Sequence, residues 1–261
     1  MDMDNEILRQ LHARRSVRAF LDRPVPPEVK RAVLEAACAA PTAGNQQLYT
    51  ILDITDQGLR DTLADTCDHQ PFIAQAPMVL IFCADCQKWY DAFAAGGCAP
   101  RRPAAGDLWL ALSDASIAAQ NAVTAAWSLG LGSCYIGDIL EQAETHRALL
   151  HLPAYVVPAA MVVFGYPAPQ QLEREKPARC ALRHIVHENA YRPMDGAELE
   201  EMLAWKAGPR PYPHWLDAFC RRKYNSDFSR EMSRSAGVYL APFQGPRAAE
   251  NPVGEEGPAE G

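Results

Sequence analysis

The sequence predicts a globular fold in which helices and strands are mixed. Three observations lead there. Apolar residues make up 48% of the 261 positions, which is enough for a full-sized core. Met78-Val79-Leu80-Ile81-Phe82 and the stretch 155–164 are strand-length runs that stay almost wholly apolar, as strands covered on both faces do. Residues 107–129 carry Leu108, Leu112, Ala115, Ala118, Ala119, Ala122, Val123 and Ala126 at helical spacing. Small apolar residues wrap much of that helix, so it is expected to be covered on more than one side, in the core or at a dimer interface.

Element by element, residues 4–13 place Ile7, Leu8 and Leu11 on one helical face. Arg14-Arg15-Ser16-Val17-Arg18 follows. If extended, it sets Arg14, Ser16 and Arg18 on one side and turns Val17 inward. Guanidinium forks beside a hydroxyl suit a phosphate monoester. Pro24, Pro26 and Pro27 interrupt regular structure, and Pro27 can open a helix that runs to about Ala39. The loop Pro41-Thr42-Ala43-Gly44-Asn45-Gln46-Gln47 offers hydroxyl and amide groups that both donate and accept, suited to the edge of a heterocycle. Residues 49–55 read as a strand, 57–67 as a helix capped by Asp56, and 85–93 as a helix with Trp89 and Tyr90. Residues 96–106 form a Gly/Pro/Ala loop carrying Arg101 and Arg102, placed either as a flap over a site or as a surface loop.

Gly130-Leu131-Gly132 stops the long helix, and Ser133-Cys134-Tyr135-Ile136-Gly137 leads on. Gly137 permits a close backbone approach to something flat. Lys176 and Arg179 supply further cations. Asp195 with Glu198 makes a capping box for a helix ending near Ala207. Pro209, Pro211 and Pro213 suggest a stiff linker, and two amphipathic helical patterns follow, at 215–224 and 228–240. Residues 244–261 have a disorder-prone composition. The chain is thus divided into a main domain (1–194), a helical extension (195–243) expected to pack on a partner subunit, and a disordered tail (244–261).

The net charge of −7 argues against a nucleic-acid surface. No apolar run reaches the roughly 18 residues of a membrane span. An acidic start without a secretory pattern suggests the cytoplasm. The eight cysteines are irregularly spaced, and buried free thiols are expected, with Cys38, Cys134 and Cys220 as examples. Cys83 and Cys86 form a C-x-x-C pair without a second pair or a suitably spaced His, so no metal site is expected. No arrangement suggests a side-chain nucleophile or general base.

In this order, the basic stretch, the 40–46 loop, Gln70 ahead of Ala76-Pro77-Met78-Val79, the 130–137 segment, Phe164-Gly165-Tyr166-Pro167 and Arg179 resemble the FMN-dependent nitroreductase family. The resemblance spans roughly residues 5–190. It implies an α+β nitroreductase-like fold, with a mostly antiparallel sheet sandwiched between helices, in a helix-rich homodimer with FMN at the subunit interface. Arg14, Ser16 and Arg18 would hold the FMN phosphate together with Arg179 and Lys176, and Arg15 belongs to the same cluster. Pro41, Thr42, Ala43, Asn45 and Gln47 would reach the flavin from the other subunit. Tyr135, Ile136 and Gly137 would line one face of the ring, and Gln70 its edge. Two departures stand out: Tyr135 replaces a common Trp, and Lys176 and Arg179 are two residues further apart than the usual pair. The implied activity is ping-pong hydride transfer from NADH or NADPH to nitroaromatics, quinones or related small aromatic acceptors, with the chemistry on the flavin. A non-catalytic flavin-binding or sensor protein is the alternative.

Overall fold

β-Branched and apolar runs become one antiparallel sheet in the computed structural model, which describes residues 5–245. The strands are β1 (Tyr49–Asp53), β2 (Met78–Asp85), β3 (Gly132–Ile136) and β4 (Val156–Gly165). Their spatial order is β1-β2-β4-β3. Central β2 is buried at every position, which is why its sequence is apolar throughout rather than alternating. The helices are α1 (Glu6–Ala13), α2 (Pro27–Cys38), α3 (Gln57–Thr66), α4 (Pro71–Gln75), α5 (Gln87–Ala95), α6 (Ala105–Ser128), α7 (Ala143–Leu149), α8 (Pro169–Glu173), α9 (Gly196–Leu203), α10 (Tyr212–Lys223) and α11 (Asp227–Leu240).

Alternate residues of β2 serve two layers. Met78, Leu80 and Phe82 pack with Val33 and Ala37 of α2 and with the alanine face of α6. Val79, Ile81 and Cys83 pack instead with Leu63 of α3, Ile73 of α4 and Ile136 of β3. The sheet therefore lies between helices, as expected. Helix α6 buries Ala111, Ala115, Ala118, Ala119, Ala122 and Ala126, yet leaves Trp109 and Leu110 at least half exposed. Gly130, at φ 81°, ends it in the left-handed region that glycine tolerates.

Several expectations need correcting. Pro211 and Pro213 do not make a linker: Pro211 caps α10 and Pro213 sits in its first turn, where the missing N–H costs nothing. Cys38 and Cys220 are exposed, whereas Cys67, Cys83, Cys86 and Cys134 are buried; all eight are free. The extension at 195–243 also divides. Tyr239 of α11 and Phe243 beyond it are buried in their own chain beside Leu48, Ala84 and Val157. The tail at 246–261 lies outside the described residues.

Polar contacts fasten α11 to α7. The buried Ser235 hydroxyl accepts the Ala143 N–H at 3.0 Å and donates to Glu231. Arg234 forks onto Glu144 at 2.8 and 2.9 Å and also reaches Glu231. These bonds to Arg234 hold the Glu144 and Glu231 carboxyls down at about 2. Nearby Glu141 is buried and its Oε1 has no hydrogen-bond partner among the described residues. Burial, followed by Asp138, Asp68 and Glu231, pushes its carboxyl up to about 7.

The folded chain thus keeps the Glu141 proton where the unfolded chain, near 4.5, has lost it. Stability attributable to this group falls as pH rises from about 4.5 to 7 and is level above that. Glu141→Gln should therefore melt at a higher temperature than the native chain near pH 8, and the gap should close near pH 4. Thermal unfolding at both pH values checks this, and identical curves at each would rule the penalty out.

Candidate functional site

Beyond α1 the chain turns extended at Arg14 and lies across the ends of β3 and β4. Ser16 bridges to Ser133, and Phe20 to Pro167. The Val17 N–H donates to the Ser133 carbonyl at 2.9 Å, and its side chain is fully buried. Two glycines permit this close crossing. A Cβ on Gly132 would lie 2.5 Å from Val17 Cγ2, and one on Gly165 would lie 2.8 Å from the Phe20 ring. With Val17 turned inward, its neighbours face a cavity of about 250 Å³.

Arg14, Arg15, Ser16 and Arg18 line that cavity with Arg174, Lys176 and Arg179 from the segment after α8. Six cations meet one lining carboxylate, Glu175. No Asp or Glu forms an ion pair with Arg14, Arg18, Arg174 or Arg179 among the described residues. Burial and the like charges of Arg14, Arg179 and Arg15 pull the Lys176 ammonium below its usual range. An anion seated here would relieve that repulsion, and guanidinium forks with a hydroxyl are the donors a phosphate needs. Two members have other duties. Arg15 donates to the carbonyls of Leu172 (2.5 Å) and Arg174 (2.7 Å), tying the second wall to the first. The Lys176 ammonium donates to the His12 carbonyl. Burial raises the Cys134 thiol, while Arg18, Ser16 and Arg14 oppose the rise, so the cluster extends to β3.

The 41–47 loop is built around one carboxylate. Asp114, buried inside α6, accepts the N–H groups of Ala43 (2.9 Å) and Leu48 (3.1 Å). Thr42 Oγ1 accepts the Gln47 N–H, so this hydroxyl closes the loop rather than standing free. Gly44, Asn45 and Gln47 all adopt positive φ, which leaves Asn45 and Gln47 exposed. Pro41 is exposed too.

Of the other predicted residues, Tyr135 is partly exposed and its hydroxyl lies 3.4 Å from Gln120 Oε1. Ile136 turns its side chain into the core, so only its backbone is available to a ligand. Gly137 has nothing within 4 Å of where a Cβ would stand, so its surroundings are open. The Gln70 amide donates to the Cys67 carbonyl at 2.8 Å, which occupies it locally. Within the chain the basic cluster is assembled, but none of residues 41–47 lines its cavity.

Asp114, Gln171 and Arg174 escaped the sequence reading. A carboxylate in the middle of an alanine-rich helical stripe is a signal that could have marked Asp114, since a buried charge needs partners. Gln171, whose Oε1 accepts the Arg18 N–H at 3.1 Å, carries no comparable signal. No group of His, Cys, Asp and Glu able to hold a metal occurs among the described residues, and Cys83 packs in the core.

Asp114→Ala should orphan two loop N–H groups and cost about 3 kcal/mol of stability. Urea unfolding measures it, and a loss under about 0.5 kcal/mol would mean that the loop holds itself.

The Nitroreductase family profile matches residues 11–166, a span that takes in the basic segment, the loop and β3. Over 195 residues the chain is 36% identical to an oxygen-insensitive NADPH nitroreductase of Salmonella typhimurium, covering 73% of this chain and 78% of that one. It is 28% identical over 248 residues to an FMN reductase (NAD(P)H) of Bacillus subtilis, covering 94% and 95% respectively. Among solved structures, the NADPH:FMN oxidoreductase of Vibrio harveyi complexed with NAD+ superposes with a TM-score of 0.71 at 25% identity, over 92% of this chain and 98% of that one. A profile match over more than half the chain, joined to a relative this similar across most of its length, leaves one assignment: the chain belongs to the nitroreductase family.

Proposed function

We propose that this chain is an FMN-dependent NAD(P)H oxidoreductase, working as a homodimer and reducing nitroaromatics, quinones or related electron-poor aromatics. The observation that carries the reading is the cavity in which Arg14, Ser16 and Arg18 meet Lys176 and Arg179, with cations far in excess of carboxylates. At about 250 Å³ it matches a phosphate and its immediate linker, not a whole flavin nucleotide. The ring therefore has to extend beyond it. The open surroundings of Gly137 beside Tyr135 offer a place with backbone access. Two of the relatives, an FMN reductase and an NADPH nitroreductase, agree with this chemistry.

When bound, FMN supplies the two-electron chemistry, accepting hydride from NAD(P)H and passing the electrons on. The protein's own residues then have positional work. Arg14, Ser16, Arg18 and Arg179 hold the phosphate, and Arg15 fixes the spacing of the two walls. Lys176 adds charge while its ammonium stays tied to the His12 carbonyl. The backbone of Tyr135, Ile136 and Gly137 supports the ring, and Gln70 stands by its edge. Pro41, Thr42, Ala43, Asn45 and Gln47 complete the opposite side from a second subunit, since they do not reach the cavity of their own chain. Exposed apolar side chains give the second subunit a surface: Ile7 and Leu11 on α1, Trp109 and Ile117 on α6, and Leu182, Ile185 and Val186 beyond the basic segment.

Purified protein should be yellow, bleach with NADH or NADPH without oxygen, and regain colour on adding a quinone or nitroaromatic. A chain that cannot be loaded with FMN, or that never bleaches, defeats the proposal. Arg14→Ala should weaken FMN binding by about 10- to 100-fold, the worth of one charged hydrogen bond. Fluorescence titration of FMN checks this, and unchanged affinity would remove Arg14 from the phosphate site. Gly132→Ala should also weaken FMN binding, because its methyl would collide with Val17 and displace Ser16 and Arg18. Full retention of FMN in that variant would show that the crossing is not what sets the cluster.

A further inference from the structure

Two short segments assigned above to the flavin ring are joined by a histidine to which the proposed function gives no task. His146, in α7, is fully buried. Its Nδ1 stands 3.0 Å from the Ile139 carbonyl, and its Nε2 stands 2.8 Å from the Thr66 hydroxyl. Ile139 lies in the 3-10 turn Gly137–Leu140, two residues beyond Gly137. Thr66 ends α3, four residues ahead of Gln70. The imidazole therefore spans from the segment assigned to the ring's face to the segment assigned to its edge.

A carbonyl oxygen only accepts, so Nδ1 carries a proton. Burial pulls the imidazole below its usual range, with backbone bonds to Ile139 and Glu141 opposing. The ring is thus neutral, and Nε2 is left as an acceptor facing the Thr66 hydroxyl. Cys67 Sγ lies 4.0 Å from the same nitrogen, but burial pushes that thiol up to about 12, so the pair makes no nucleophile. Each turn is tied internally. The Glu141 N–H donates to the Asp138 carbonyl at 3.0 Å, and the Gln70 N–H and side-chain amide donate to the Ala64 and Cys67 carbonyls, both at 2.8 Å. No backbone hydrogen bond joins residues 64–70 to residues 137–141 among the described residues. The polar link runs through His146, with a second strut from the Gln142 amide to the Thr66 carbonyl at 2.8 Å. Ile139, Leu63 and Cys67 share one apolar cluster, yet apolar packing is non-directional and leaves the register of the two turns open.

We propose that His146 is a positioning residue for the flavin ring: it fixes the spacing between the Gly137 turn and the Gln70 turn, and so the fit of the ring's face and edge. The effect on the flavin rests on the proposed function; the coupling of the two turns does not. Three substitutions in the full chain separate the contacts. His146→Val removes both bonds. The amide nitrogen of Asn falls near where Nδ1 stood and the amide of Gln near where Nε2 stood, so His146→Asn keeps the Ile139 side and His146→Gln keeps the Thr66 side. Thermal unfolding first identifies a temperature at which each chain is folded. Without flavin, amide hydrogen exchange should quicken in both turns of His146→Val, in residues 137–141 alone for His146→Gln and in residues 66–70 alone for His146→Asn. With flavin, His146→Val should bind FMN and riboflavin each about tenfold more weakly, leaving their affinity ratio native, whereas Arg14→Ala should weaken FMN alone. The visible circular dichroism of saturated flavin should change in His146→Val, and each amide substitution should recover part of the loss. If His146→Val does not fold, the Asn and Gln chains carry the same comparison. Native exchange in both turns overturns the coupling. Quickened exchange with native riboflavin affinity and native flavin dichroism leaves a structural contact only and overturns the positioning role. A native chain that binds neither FMN nor riboflavin faults the proposed function instead, and the exchange data still decide whether His146 couples the turns.

Discussion

The burial of Val17 against Gly132 is the contact on which the rest of the basic site depends. An extended segment can present cations to a cavity only if something holds its other face. Here that face is a fully buried Val, seated where β3 has no side chain to obstruct it. The Ser133 carbonyl and Gln171 Oε1 take the segment's N–H groups, so the crossing leaves few orphaned donors. Alternation along the extended chain then sends the residues on either side of Val17 into one cavity. Gathering six cations costs repulsion, which adds to burial in lowering the affinity of Lys176 for its proton. The protein offsets part of that cost with backbone carbonyls, which accept from Arg15, Lys176 and Arg179 without neutralising them. Carboxylates in their place would quench the field that a phosphate needs.

A second constraint works at a distance from the first. Asp114 reaches out of α6 to both ends of the 43–48 turn, so the long helix that forms the core also sets the shape of an exposed loop. Trp89 adds a third tie through the Gln46 carbonyl. The loop therefore has three fixed points and still adopts positive φ at successive residues. Rigid support beneath and exposed amides above are what the proposed contact with the flavin of a second subunit would require.

The C-terminal region shows how little separates an extension from a core. Helix α11 is amphipathic and polar in much of its sequence, yet Tyr239 and Phe243 close the end of the sheet beside Leu48 and Val157. Its docking to α7 relies on Ser235 and on the Arg234 fork, whose ion pairs need Glu231 and Glu144 ionised. The neighbouring Glu141 titrates in the opposite sense. This corner of the molecule therefore carries opposed responses to pH within a few residues.

Periodicity and local chemistry account for what could be read directly from the chain. The apolar run of β2, the alanine stripe of α6, the Asp56 cap and the capping box at Asp195 and Glu198 are each decided by residues within a turn or two. The inward turn of Val17 and the order of motifs that resembles the nitroreductase family are legible for the same reason. Pro211 and Pro213 mislead because proline serves a helix start as well as a linker, and neighbours beyond the local window decide which. Cys38 and Cys220 mislead because an apolar stretch does not say which side of a helix faces water. The pairing of the 14–18 segment with Gln171 and Arg174, the reach of Asp114 to the loop and the return of α11 to the core all join residues far apart in sequence. Such contacts depend on how layers pack and which way each side chain leaves its element, so no spacing along the chain encodes them.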